Sequence, residues 1–209
     1  MGPSNVMYLA ARGKKKDFLA VDEVWVINSL IGTLEADKAF IMDDLRDIES
    51  RYPAWANTLK LTDVPIITCR EYPEYPTAEA YPIQEVQAFL NDDWFTNTVA
   101  YAVGYAALIG VQDFYMFGCD FKYPGSSAVE AGHDNVCYLL GLARSKGLRY
   151  RIPQQSTLMD TNLAQLQDGQ LKRPLYGYDF NPGDCANRVA VGRATEMDKQ
   201  LAERGPRSQ

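Results

Sequence analysis

The stretch that most constrains the fold runs from Phe95 to Asp120, FTNTVAYAVGYAALIGVQDFYMFGCD. Val99 to Ile109 is apolar almost all round, which predicts a helix buried on every side. Thr96, Asn97 and Thr98 precede it, and small polar residues of this kind cap a helix start and leave N–H groups free for an anion. Gly110 suits the turn that ends the helix. Asp113 to Gly118 (DFYMFG) is a short apolar run of the sort a covered parallel strand shows. Gly118-Cys119-Asp120 then falls at the strand's carboxyl end, where open α/β sheets bind their ligands.

The rest of the chain repeats this alternation. Asp22 to Ser29 (DEVWVINS) is a strand that gives out at Asn28, a side chain able to hydrogen-bond a base or ribose in both directions or simply to turn the chain. Asp37 to Asp44 (DKAFIMDD) is a second strand, closed by Asp43 and Asp44. Paired carboxylates can hold a divalent cation such as Mg²⁺ against phosphates, or cap the next helix. Leu45 to Leu59 reads as helical, interrupted by Pro53. Val64 to Cys69 (VPIITC) is a third strand, followed by Arg70. Glu71 to Pro82 (EYPEYPTAEAYP) reads as a loop with little secondary structure of its own. Tyr72, Tyr75 and Tyr81 either pack it down or serve as a lid. Ile83 to Leu90 is a short helix. Phe121 to Gly132 reads as a polar loop, with His133, the only histidine, at the start of a helix over Asp134 to Lys146. Leu148 to Ile152 is a further strand.

Strand, loop and helix alternate to about residue 160, which predicts a Rossmann-like α/β three-layer sandwich with a mainly parallel sheet. The division expected is a catalytic domain over 1–170 and a C-terminal appendage over 171–209, its tail disordered. An apolar helix near the C-terminus would support a homodimer. The net charge of −6 argues against nonspecific grip on nucleic acid. Four cysteines without CxxC spacing, together with no signal peptide and no apolar run long enough for a bilayer, predict a cytoplasmic chain that does not engage a membrane.

The run Thr96 to Pro124 (TNTVAYAVGYAALIGVQDFYMFGCDFKYP), followed by GLARSKGLRYRIPQQSTLMD over Gly141 to Asp160, resembles a group of small phage and prophage proteins. That group is similar to bacterial sialyltransferases of the lipooligosaccharide type. It is also similar to the wider family holding archaeal-type pterin diphosphokinases and motility-associated sugar transferases. The resemblance covers about Gly2 to Asp160 and implies a nucleotide-sugar-dependent glycosyltransferase with a CMP-, UDP- or GDP-linked donor. The hydroxyl acceptor would be hydroxymethylated DNA or a glycan, and the setting the host cell cytoplasm. It implies that Gly2, Pro3 and Ser4 lie by the nucleotide phosphates and that Asn28 meets the nucleotide. Thr96, Asn97 and Thr98 would sit at the ribose or phosphate. Gly118 and Asp120 would line the pocket, with Asp120 counted among the catalytic residues, and Tyr123 would hold the leaving phosphate. His133 would be the general base, a role that suits an imidazole. The chain departs from the pattern in three places. Only Met1 precedes Gly-Pro-Ser, where the family has a strand. Trp94 and Phe95 replace an arginine, and Asp43 replaces an asparagine. The last departure raises the alternative of a Mg²⁺-dependent, diphosphokinase-like phosphotransferase with Asp43, Asp44 and Asp120 on the ion. A second alternative is a nonenzymatic phage accessory protein that binds a nucleotide or another protein.

Overall fold

The computed structural model describes residues 21–121, 127–159, 165–167, 170–172 and 175. The chain divides into two compact units, Met1–Asn162 and Leu163–Gln209.

In the first unit four short strands run parallel in the order β1 (Trp25–Ile27), β2 (Lys38–Ile41), β3 (Ile66–Thr68), β4 (Ala78–Ala80). Their register aligns Val26 with Ala39, Ala39 with Ile66 and Ile66 with Ala78. Successive side chains of a strand point to opposite faces, and the sequence uses both. Val26, Ala39, Ile41 and Ile66 face one layer, built from α1 (Leu45–Arg51) and α2 (Pro53–Leu61) through Leu45, Ile48, Ala56 and Leu59. Trp25, Phe40 and Ile67 face the other. That layer holds α3 (Ile83–Leu90), α4 (Thr98–Leu108) and α5 (Ser127–Ser145). The result is the Rossmann-like α/β architecture, with helices on both faces of a parallel sheet. Phe40 is fully buried, and a side chain of that size contributes about 1.5–3 kcal/mol by leaving water.

Helix α4 is the buried element the sequence predicts. Ala100, Val103 and Ala106 are wholly enclosed, and Gly110 closes the helix with φ +75°. A separate parallel pair, β5 (Asp113–Tyr115) and β6 (Arg149–Arg151), packs on the same layer. The Phe114 ring lies 5.8 Å from that of Trp25.

Several local expectations change. The apolar run at β5 is not covered on both faces: Tyr115 is 40% exposed, and Asp113 pairs with Arg149 at 2.5 Å. Only Phe114 and Met116 turn inward. The Tyr/Pro-rich segment contains a strand, β4, and its tyrosines are structural. Tyr72 Oη accepts from the Leu45 N–H, Tyr75 donates to the Leu45 carbonyl, and Tyr81 donates to the Tyr101 carbonyl. Burial raises all three phenols, Tyr72 and Tyr75 to about 12. Residues expected in the polar loop before His133 are helical from Ser127 onward, so His133 sits in the second turn of α5 rather than at its start.

The second unit holds an antiparallel hairpin, β7 (Gln165–Gln167) and β8 (Gln170–Lys172). Sequence reading missed it. The signal was Asp168-Gly169 between two short alternating runs, the dipeptide that two-residue hairpins favour. The C-terminal helix expected over Cys185 to Glu203 lies outside the described residues. No helix among them is long and apolar enough to cross a membrane.

Candidate functional site

The carboxyl ends of the parallel strands carry two groups of polar residues. The first lies where β1 and β2 give out. Directly after β1, Asn28 takes a left-handed conformation, φ 51°. Asparagine tolerates it better than other side chains, yet such residues remain uncommon. A 3-10 turn over Asn28–Leu30 follows, held by the Ile31 N–H on the Asn28 carbonyl at 3.3 Å. After β2 come Asp43 and Asp44. Between these ends and the start of α2 opens a cavity of about 390 Å³, lined by Asn28, Ser29, Asp43, Tyr52 and Trp55. Asn28 Oδ1 and Trp55 Nε1 are both sealed from solvent and have no hydrogen-bond partner among the described residues. Buried polar atoms are nearly always paired, because an unmet one costs roughly 1–3 kcal/mol. Two such atoms on one cavity therefore call for a reason.

Asp43 and Asp44 do not form a cation-binding pair. Asp44 caps α1, accepting from the Arg46 N–H at 3.0 Å, and lies 2.5 Å from Arg70 Nη2. The Arg46 amide, with smaller help from Arg70, lowers the Asp44 carboxyl below its ordinary value. Arg70 and Arg46 also lie over the Tyr72 ring, at 5.7 and 5.8 Å. Asp43 is left to face the cavity alone. No group of three or more His, Cys, Asp or Glu among the described residues is placed to hold a metal.

The second group lies at the end of β5 and the start of α4. Asn97 caps α4, its Oδ1 accepting from the Ala100 N–H at 3.1 Å, while Nδ2 donates to the Gly132 carbonyl at 3.2 Å. The Thr96 N–H and Oγ1 both donate to Asn135 Oδ1, at 3.0 and 3.1 Å. Asn135 Nδ2 donates to the Trp94 carbonyl at 2.6 Å. Thr98 and Asn135 are buried. Gly118 has φ +76°, Asp120 is 2% exposed, and Phe121 is left-handed at φ 47°. The Asp120 carbonyl accepts from the Thr157 hydroxyl.

His133 is partly exposed. Its Nδ1 lies 3.3 Å from Asp134 Oδ1, its Nε2 lies 3.7 Å from Cys137 Sγ, and its ring stands edge-on to Phe121 at 6.2 Å. Gly132 seats it: a Cβ there would lie 3.2 Å from the Phe121 ring and 3.5 Å from Asn97 Nδ2. Of the expected residues, Asn28 and Asp43 line one cavity, and Asn97 and His133 lie near each other beside Gly132 and the Phe121 ring. Gly2, Pro3, Ser4 and Tyr123 lie outside the described residues. Sequence reading missed Trp55, Tyr52 and Asn135. Asn135 was findable as a polar residue on the apolar stripe that Leu139 continues. No protein-family model matches the chain, and no curated protein or solved structure matches it.

Proposed function

We propose that the protein is a nucleotide-sugar-dependent glycosyltransferase that seats its donor at the carboxyl edge of the parallel sheet. One observation supports this most: Asn28 and Trp55, which line the cavity after β1 and β2 with Tyr52, each carry a covered polar atom, Oδ1 and Nε1, with no partner among the described residues. An aromatic-walled cavity at this edge is the setting in which α/β sheets take nucleotides. The donor would be CMP-, UDP- or GDP-linked, and the acceptor a hydroxyl of hydroxymethylated DNA or of a glycan.

In this reading the acceptor oxygen attacks the anomeric carbon and its proton passes to the His133 imidazole. The bond from that carbon to the phosphate oxygen breaks, and the nucleotide leaves with the electron pair. Asp120 and Gly118, at the end of β5, would line the approach. No step is routed through Mg²⁺, since Asp44 is held by the α1 start and Arg70.

The test is a thermal-shift series with CMP, UDP and GDP compounds and their sugar conjugates, with and without Mg²⁺. A ligand that binds only the folded state raises the midpoint, by roughly 2.7 kcal/mol of stabilisation at a hundredfold excess over Kd. Stabilisation independent of Mg²⁺, with transfer lost but binding kept in His133→Ala, is the expected result. No shift with any nucleotide ends the proposal.

A further inference from the structure

The walls of the β1–β2 cavity are unequal in hydrogen-bonding capacity. Asn28 Oδ1 only accepts, as does the Asp43 carboxylate, and the Trp55 indole N–H only donates. Among the described residues neither an ion pair nor a hydrogen bond engages Asp43, and a phosphate would be repelled by it. The ligand group that satisfies the cavity must bring two donors close together, offer an acceptor between them, and lie flat against an aromatic face. Two neighbouring hydroxyls do this: each O–H donates once and each oxygen still accepts, and the C–H face of the ring that bears them packs on an indole.

We infer that the cavity recognises a vicinal diol: one O–H donates to Asn28 Oδ1, the other donates to Asp43, and the Trp55 Nε1–H donates to a diol oxygen. The inference rests on the proposed function, and the diol has two sources there, the ribose of the nucleotide or the pyranose it carries. In the free structure Asn28 Oδ1 and Trp55 Nε1 are covered, so the diol reaches them only when both side chains turn toward it.

The experiment titrates the full chain with UDP, GDP and CMP, with their 2′-deoxy and 3′-deoxy counterparts, and with free glucose, galactose and mannose. Calorimetry and tryptophan fluorescence read the binding. If the ribose is the source, each deoxynucleotide binds at least about tenfold more weakly, the cost of leaving one site group unmet. Trp55→Phe and Asp43→Asn then each shrink the gap between ribo and deoxy ligands. Asn28→Gly does the same without straining the left-handed backbone. If the pyranose is the source, free hexoses bind, compete with the sugar conjugate, and lose affinity in the same variants. Equal binding of ribo- and deoxynucleotides with no hexose binding overturns the diol and leaves the nucleotide reading standing. Hexose binding without nucleotide binding keeps the diol and removes the nucleotide. No binding of either kind removes both.

Discussion

The two polar groups at the strand ends differ in how their atoms are used. At the junction of α4 and α5, the Thr96 amide and hydroxyl, both functional ends of Asn97 and Asn135, and the Trp94 carbonyl all have partners within the protein. At the cavity after β1 and β2, an amide oxygen and an indole N–H have none among the described residues, and none of those residues forms an ion pair with Asp43. The amides and the hydroxyl at the junction are spent on joining helices, while the cavity residues keep polar atoms that a ligand could meet. The small polar residues ahead of α4, which in sequence look most like an anion site, are those most engaged in holding the structure.

The sharpest way to break this comparison is Asn135→Leu. It removes a buried amide that ties the Thr96 donors and the Trp94 carbonyl together, and because Thr96 and Trp94 themselves reach solvent, urea unfolding should show a loss of about 2 kcal/mol. A loss under about 1 kcal/mol would mean that the junction is not the anchor described. Asn97→Ala removes a helix cap and the link to Gly132, with an expected loss of about 1–2 kcal/mol; nucleotide affinity measured on the same variant shows whether Asn97 has any second role. Asn28→Gly should behave in the opposite sense. It removes an unmet atom and relieves a left-handed backbone, so stability holds or rises by up to about 1 kcal/mol while ligand affinity falls. A strongly destabilised Asn28→Gly would place this residue with the structural group.

The smallest effect is electrostatic. Folding lowers the Asp44 carboxyl below its ordinary value of 3.8, first through the Arg46 amide. Stability from this group is therefore present above pH 3.8 and lost as pH falls through the lower folded value. Asp44→Asn should flatten the acid limb of the stability–pH curve in that window and leave the neutral region little changed. The side chain is exposed, and salt weakens the contribution further.

The parts of the fold legible in sequence are those governed by local pattern: β1, β2 and β3 as short β-branched runs ending in polar residues, and α4 as an apolar helix with a polar start and a glycine end. Strand β4 was hidden because Ala78 to Ala80 carries no β-branched or aromatic residue. It exists through pairing with β3, where Ile66 aligns with Ala78. The site was half legible. Asn28 and Asp43 follow strands and announce themselves by position. Trp55 does not, because its place on the cavity depends on how α2 lies over the strand ends, and nothing in the sequence around Pro53 fixes that. Asp43 and Asp44 look equivalent in sequence; only the start of α1 and the reach of Arg70 separate them.

Gly132 acts as a spacer by what it lacks. The ring of Phe121 and the amide of Asn97 come close enough that even a methyl group would touch both. The stand-off between α5 and the end of β5 is therefore set by a hydrogen atom, and His133, the next residue, inherits that clearance. An alanine there is a modest change in chemistry, yet it would act as a shim, pressing on the Phe121 ring that the imidazole stands against without altering any group that would take part in a reaction. Loss of transfer in such a variant, with the imidazole intact, would be a fault of alignment.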